Sequence, residues 1–130
     1  MSNKEVHGTM GKVKEKNRRE FMEGLELICF KIISAVGTAR SMYIEAITLA
    51  KQGKIDEAKQ QIEEGEVIFA GGHAEHAKII TSEANGIKTE INLLLMHAED
   101  QLMSAETLRI IASEFIDVYA ALQELRGEGV

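Results

Sequence analysis

Residues 91–122 read INLLLMHAEDQLMSAETLRIIASEFIDVYAAL. Apolar side chains recur every three or four positions, the period of a helix with one buried face. One stripe runs Ile91, Leu95, Ala98, Leu102, Ala105, Leu108, Ala112, Phe115, Tyr119, Leu122. A second runs Leu93, Met96, Asp100, Met103, Thr107, Ile110, alternating by three and four as in a coiled-coil seam. A helical hairpin covers only one stripe. The second therefore predicts self-association through this helix, expected over about residues 89–126.

Upstream, the same period places a helix over about residues 18–52. Its stripe is Phe21, Leu25, Ile28, Ile32, Ala35, Ala39, Tyr43, Ala46, Ala50, and Gly53 stops it. A middle helix starts near Ile55, with Asp56 and Glu57 suiting the positive end of its dipole. Its stripe is Ile55, Ala58, Ile62, Phe69, His76, Ile80, and Asn85-Gly86 ends it. Gly65, Gly71 and Gly72 fall inside, each costing ~1 kcal/mol against Ala. They predict either a break or a close backbone approach. Short loops make neighbouring helices antiparallel. The expected fold class is all-α, an antiparallel three-helix subunit. Residues 1–17 form a flexible N-terminal tail, and 18–130 are one domain.

Composition agrees. The chain has 130 residues, enough for one core, with no Pro, no Trp and 5% aromatics. Net charge is −6, with six basic and three acidic side chains in residues 1–20, which leaves the remainder strongly acidic. That body argues against nucleic acid as a partner, because phosphate contacts need clustered Lys and Arg. Cys29 is the only cysteine and sits in an apolar run, so it reads as a buried thiol. No signal peptide is expected, and strictly apolar runs stop at four or five residues, well short of the ~20 that cross a bilayer. The expected location is the cytoplasm, without direct membrane insertion.

Asp100 between Met96 and Met103 is costly in a buried seam unless paired, protonated or metal-bound. Carboxylates facing one another across a symmetry axis repel, and a divalent cation with oxygen ligands, commonly Mg²⁺, relieves the repulsion. In an open seam, Asp100 is an ordinary surface acid. Of the histidines, His7 lies in the tail, His73 and His76 share a face one turn apart, and His97 lies early in the third helix. A non-enzymatic helical interaction module that self-associates through the third helix, or a metal-binding bundle using His73, His76 and His97, are the readings the residues leave open.

The segment Leu95-Met96-His97-Ala98-Glu99-Asp100-Gln101-Leu102-Met103 resembles the active-site stretch of the lactose/cellobiose (chitobiose) enzyme IIA family of the sugar phosphotransferase system, close to L-x-H-A-Q-D-H-L-M. Gly37-Thr38-Ala39-Arg40-Ser41 with Glu45-Ala46, and His73 with Glu83-Ala84-Asn85-Gly86, match further segments in order. The resemblance covers about residues 20–126. It implies a homotrimer, a phosphohistidine at His97, phospho-HPr as donor and a cysteine of the IIB component as acceptor, for uptake of a β-linked disaccharide such as cellobiose or lactose. It also implies a divalent cation at Asp100 on the trimer axis. Three positions depart: Glu99 replaces a glutamine, Gln101 a histidine, and His76 a glutamine.

An imidazole titrates near ~6.5, so a neutral nucleophilic nitrogen is plentiful at pH 7. Backbone N–H groups inside a helix are already used, so phosphate must be stabilised by side chains. Gln101, His76 and His73 are the candidates. No Lys or Arg lies within a turn of His97, which suits a carrier that gives its phosphate away. If Gln101 and His76 are neighbours, their exchange keeps one imidazole and one amide at the site. His97 is expected to be exposed.

Overall fold

A computed structural model describes residues 3–127, with side chains from residue 8 onward except Phe21. Three helices follow in order: α1 (Asn3–Lys51), α2 (Ile55–Ala84) and α3 (Leu93–Leu125). Among the described residues there are no strands. α1 packs on both other helices, while α2 and α3 share the thinnest interface.

The buried residues follow a stricter rule than the expected stripes. On α1 they are Leu25, Cys29, Ile32, Val36, Ala39, Tyr43, Ala46 and Ala50, alternating by four and three without a slip. Cys29 and Val36 hold the core positions, while Ile28 and Ala35 are half-buried beside them. On α3 the buried set is Leu95, Ala98, Leu102, Ala105, Ala112 and Ile116. Ile116, not Phe115, continues the alternation, and Phe115, Leu122 and Ile91 are exposed. On α2, Ile79 is buried and Ile80 exposed. A straight helix repeats every 3.6 residues, whereas a seven-residue repeat keeps one seam facing a partner by gentle supercoiling. The packing obeys the seven-residue repeat, and that shift of phase decides between the adjacent isoleucines.

The glycines of α2 resolve as close approach, since the helix runs unbroken. A Cβ on Gly65 would stand 2.7 Å from Tyr43 Cε1, and one on Gly72 would stand 2.9 Å from Val36 Cγ1. At Gly71 a Cβ would meet nothing within 4 Å. Gly71→Ala should therefore stabilise the protein by ~1 kcal/mol through helix propensity alone. A thermal melt checks this, and a lower melting temperature would contradict it.

The helix ends follow local chemistry. Gly53 takes φ +80° and Gly86 takes φ +84°, the left-handed turns that favour glycine. After them, the Lys54 N–H donates to Leu49 O and the Ile87 N–H to Ser82 O, both at 3.0 Å. α3 begins at Leu93, not near Thr89, because the Asn92 side chain accepts from the Leu95 N–H at 2.9 Å and caps it. At the far end, Gln123 Nε2 donates to Gly53 O at 3.3 Å, tying α3 to the α1–α2 turn.

Two expectations change along α1. The helix extends back to Asn3, some fifteen residues before the expected start. No proline interrupts it, and Glu15 pairs with Arg18 and Arg19 one turn on. The side chains of His7 and Phe21 lie outside the described residues. In addition, a window of α1 within residues 8–51 reaches a mean hydropathy of 1.4, long and apolar enough by length and composition to cross a membrane. Ile32, Ala39, Tyr43 and Ala46 of α1 are fully buried in the core, and 28% of that window is buried.

Candidate functional site

α3 carries the candidate residues. Its core-facing side chains fix the rotation of the helix, and each residue turns ~100° from the last. Ala98 and Leu102 point inward and leave His97 and Asp100 exposed, with Gln101 half-buried one turn beyond His97. The expectation of an exposed His97 is met. The second seam is open to solvent: Leu93 is 82% exposed and Met103 64%, with Met96, Thr107 and Ile110 exposed beside them. Large exposed apolar side chains thus line this face, and apolar patches on a surface commonly serve as interaction sites.

Asp100 stands between two shallow grooves. One, of about 450 Å³, lies toward α2 and includes Ile79, Ile80, Thr89 and Met96. The other, of about 490 Å³, lies toward α1 and includes Arg40, Ser104 and Leu108. Arg40, a cation not counted near the site from sequence spacing, thus shares a groove with Asp100. Only the antiparallel packing of α1 on α3 brings them together.

The remaining candidates separate. His73 is exposed and stacks on Phe69, ring centroids 6.3 Å apart. His76 Nε2 donates to Glu99 Oε1 of α3. Glu99 lies two residues from His97 and ~160° around the helix from it. His76 is therefore held on the flank away from the His97 imidazole. The expected exchange between Gln101 and His76 is not what the fold builds. The departures that meet are His76 and Glu99. A glutamate and a histidine on different helices carry no sequence signal of contact.

Among the described residues, no three His, Cys, Asp or Glu side chains gather to hold a metal ion. His73, His76 and His97 do not form the metal cluster considered from sequence. Asp100 supplies one hard oxygen donor on an exposed seam, which fits a divalent cation only where several copies contribute one carboxylate each.

Two buried groups complete the electrostatics. Burial pushes the Cys29 thiol up, helped by the negative charge of Glu99 and then of Glu26, so it is a core residue rather than a nucleophile. Burial also raises Tyr43, with Glu66 adding to the effect and Arg109 opposing it. Among the described residues, the Tyr43 hydroxyl has no hydrogen-bond partner.

Comparison with known proteins agrees with this arrangement. Residues 27–120 match the model of the phosphotransferase system lactose/cellobiose-specific IIA subunit. The chain is 38% identical over 108 residues to the lichenan-specific phosphotransferase enzyme IIA component of Bacillus subtilis, covering 83% of this chain and 98% of that protein. It is 38% identical over 94 residues to the oligo-beta-mannoside-specific EIIA component of the same organism, covering 72% of this chain and 86% of that one. The crystal structure of the cellobiose-specific enzyme IIA from Bacillus anthracis superposes with a TM-score of 0.72 at 42% identity, over 79% of this chain and 92% of that one. The family match leaves out about the first half of α1 and takes in all of α2 and most of α3, including His97 and Asp100. The chain is therefore a member of the lactose/cellobiose-specific IIA family of the sugar phosphotransferase system.

Proposed function

We propose that this chain is the cytoplasmic phosphocarrier of its transport system, receiving a phosphoryl group from phospho-HPr on His97 and passing it to a cysteine of a IIB component. The observation that carries the reading is the exposure of His97 on α3 within the His97-Ala98-Glu99-Asp100 motif. In the first transfer, the P–N bond to the donor imidazole breaks as a P–N bond to His97 forms. In the second, the IIB thiolate takes the phosphorus and the His97 imidazole leaves. Positioning and electrostatics dominate such transfers. Gln101, one turn from His97, is the candidate donor to the phosphate oxygens. His76 is engaged by Glu99, so in this proposal it serves that carboxylate rather than the phosphate, and exposed His73 stays a second candidate donor. The transported sugar is a β-linked disaccharide such as cellobiose or lactose. The test is incubation with phosphoenolpyruvate, enzyme I and HPr. An acid-labile, alkali-stable phosphoprotein is expected, and an unmodified chain would refute the reading.

The working assembly in this proposal is a homotrimer joined by the exposed α3 seams. Asp100 of each copy would face the axis and together hold a divalent cation, Mg²⁺ being the ordinary choice for oxygen donors. The cation would supply charge neutralisation at the interface. Replacing buried charge with well-packed apolar groups is often neutral or stabilising by about 1–4 kcal/mol. Asp100→Leu should therefore hold the trimer together at lower protein concentration, by about tenfold or more, and make it indifferent to chelators. Sedimentation across a dilution series reads both effects. A variant that sediments as monomers would refute this view of the seam.

A further inference from the structure

We propose that His76 and Glu99 are a positioning pair for the His97 turn, and that the negative charge they hold there limits how firmly His97 keeps a phosphoryl group. The inference rests on the reading of His97 as the carrier.

The pair occupies the weakest part of the fold. α2 and α3 share the thinnest interface. Among the described residues, two side-chain hydrogen bonds cross it: His76 to Glu99, and Arg109 to Glu66 at 3.1 Å. The first lies at the level of His97 and the second three turns further along α3. The His76 and Glu99 side chains are only 17% and 37% exposed. Breaking a bond between half-buried polar groups leaves both partly desolvated and unsatisfied, which is costlier than never having the pair. The turn 96–100, which carries His97, is thus tied to α2 through Glu99.

The pair also places a charge. Glu99 cannot touch the His97 imidazole, because they leave the helix on nearly opposite sides. Its field still reaches beyond its own hydrogen bond, for it acts on the buried Cys29 of α1. A phosphoryl group on His97 adds up to two negative charges on the order of 10 Å from the Glu99 carboxylate, by helix geometry. Across a protein surface, that repulsion is worth about two- to tenfold in an equilibrium constant. It favours release, as a carrier requires. An amide at position 99 keeps an acceptor for the His76 N–H and removes the charge. Position and field can therefore be separated.

The experiment uses full-length wild type, His76→Ala, Glu99→Gln and the double variant His76→Gln/Glu99→Gln. Each is melted, then equilibrated with phospho-HPr, and its rate of phosphate uptake is measured. His76→Ala should melt several degrees lower and take up phosphate several-fold more slowly. Glu99→Gln should shift the phosphorylation equilibrium toward the phosphoprotein by about two- to tenfold. The double variant should recover the wild-type melting temperature while keeping the shifted equilibrium, a split that a purely structural role does not give. An unshifted equilibrium in Glu99→Gln, or unchanged uptake in His76→Ala, overturns the inference. Wild type that accepts no phosphate overturns the carrier reading as well. Wild type that is phosphorylated, with pair variants indistinguishable from it, overturns this inference alone.

Discussion

His97→Gln should accept no phosphate from phospho-HPr, while its melting temperature stays within about a degree of wild type. The imidazole is exposed, and the helix around it is set by Leu95, Ala98 and Leu102 on the opposite side. Substitutions at such surface positions ordinarily change stability by less than about 0.5 kcal/mol. Glutamine keeps the hydrogen bonding and the helix propensity but offers no nucleophilic nitrogen. Loss of function without loss of fold is the signature of a residue that does chemistry. Residual phosphate on the variant would place the acceptor elsewhere, with His73 the other exposed imidazole among the described residues.

Gly65→Val should be the most destabilising single change on α2. Even the Cβ would stand 2.7 Å from Tyr43 Cε1 and 3.1 Å from Cδ1, nearer than carbon atoms sit. The Tyr43 ring is fully buried, so it cannot swing out without opening the core around Ile62, Ala112 and Ile116. Valine adds two more carbons at that point. Overpacking of this kind costs about 1–3 kcal/mol and sometimes more, and here the upper end applies because the obstacle is a rigid aromatic. A fall in melting temperature of roughly 10 °C follows for a domain of this size. Combining it with Tyr43→Ala should restore part of the loss, because the two substitutions share one space. A Gly65→Val protein as stable as wild type would mean that α1 and α2 are not packed at this distance.

The same two regions show what the sequence carried and what it did not. Gly53 and Asn85-Gly86 were legible as helix ends, because a left-handed turn leaves glycine where few other residues fit. The stripes of α1 and α3 were legible as helical faces, but their phase was not. Spacings of three and four accommodate either Ile28 or Cys29, and either Phe115 or Ile116. Only the partner helix, held in register by the seven-residue repeat, decides between them. The α3 start was misplaced because Thr89 and Asn92 are both acceptable caps on paper. Asn92 captures the Leu95 N–H, while the Thr89 hydroxyl is buried without a partner among the described residues.

The site divides in the same way. His97 and Asp100 were legible because they stand in one short segment of one helix. The glycines of α2 left two outcomes open, and the fit of Gly65 over Tyr43 and of Gly72 over Val36 selects close approach. The bond between His76 and Glu99, and the approach of Arg40 to the Asp100 groove, join residues 23 and 60 positions apart. No local period reports such contacts. They also give His76 a partner that the sequence did not suggest, the Glu99 carboxylate.

Locating the phosphate tests the account most directly. The wild-type protein, charged from phospho-HPr and digested under alkaline conditions, should yield a single phosphorylated peptide with the group on His97. Adding the IIB component should then empty that peptide as its own cysteine gains the phosphate. Phosphate found on His73 or His76 instead, or a His97 peptide that stays unmodified while HPr remains charged, would contradict the account.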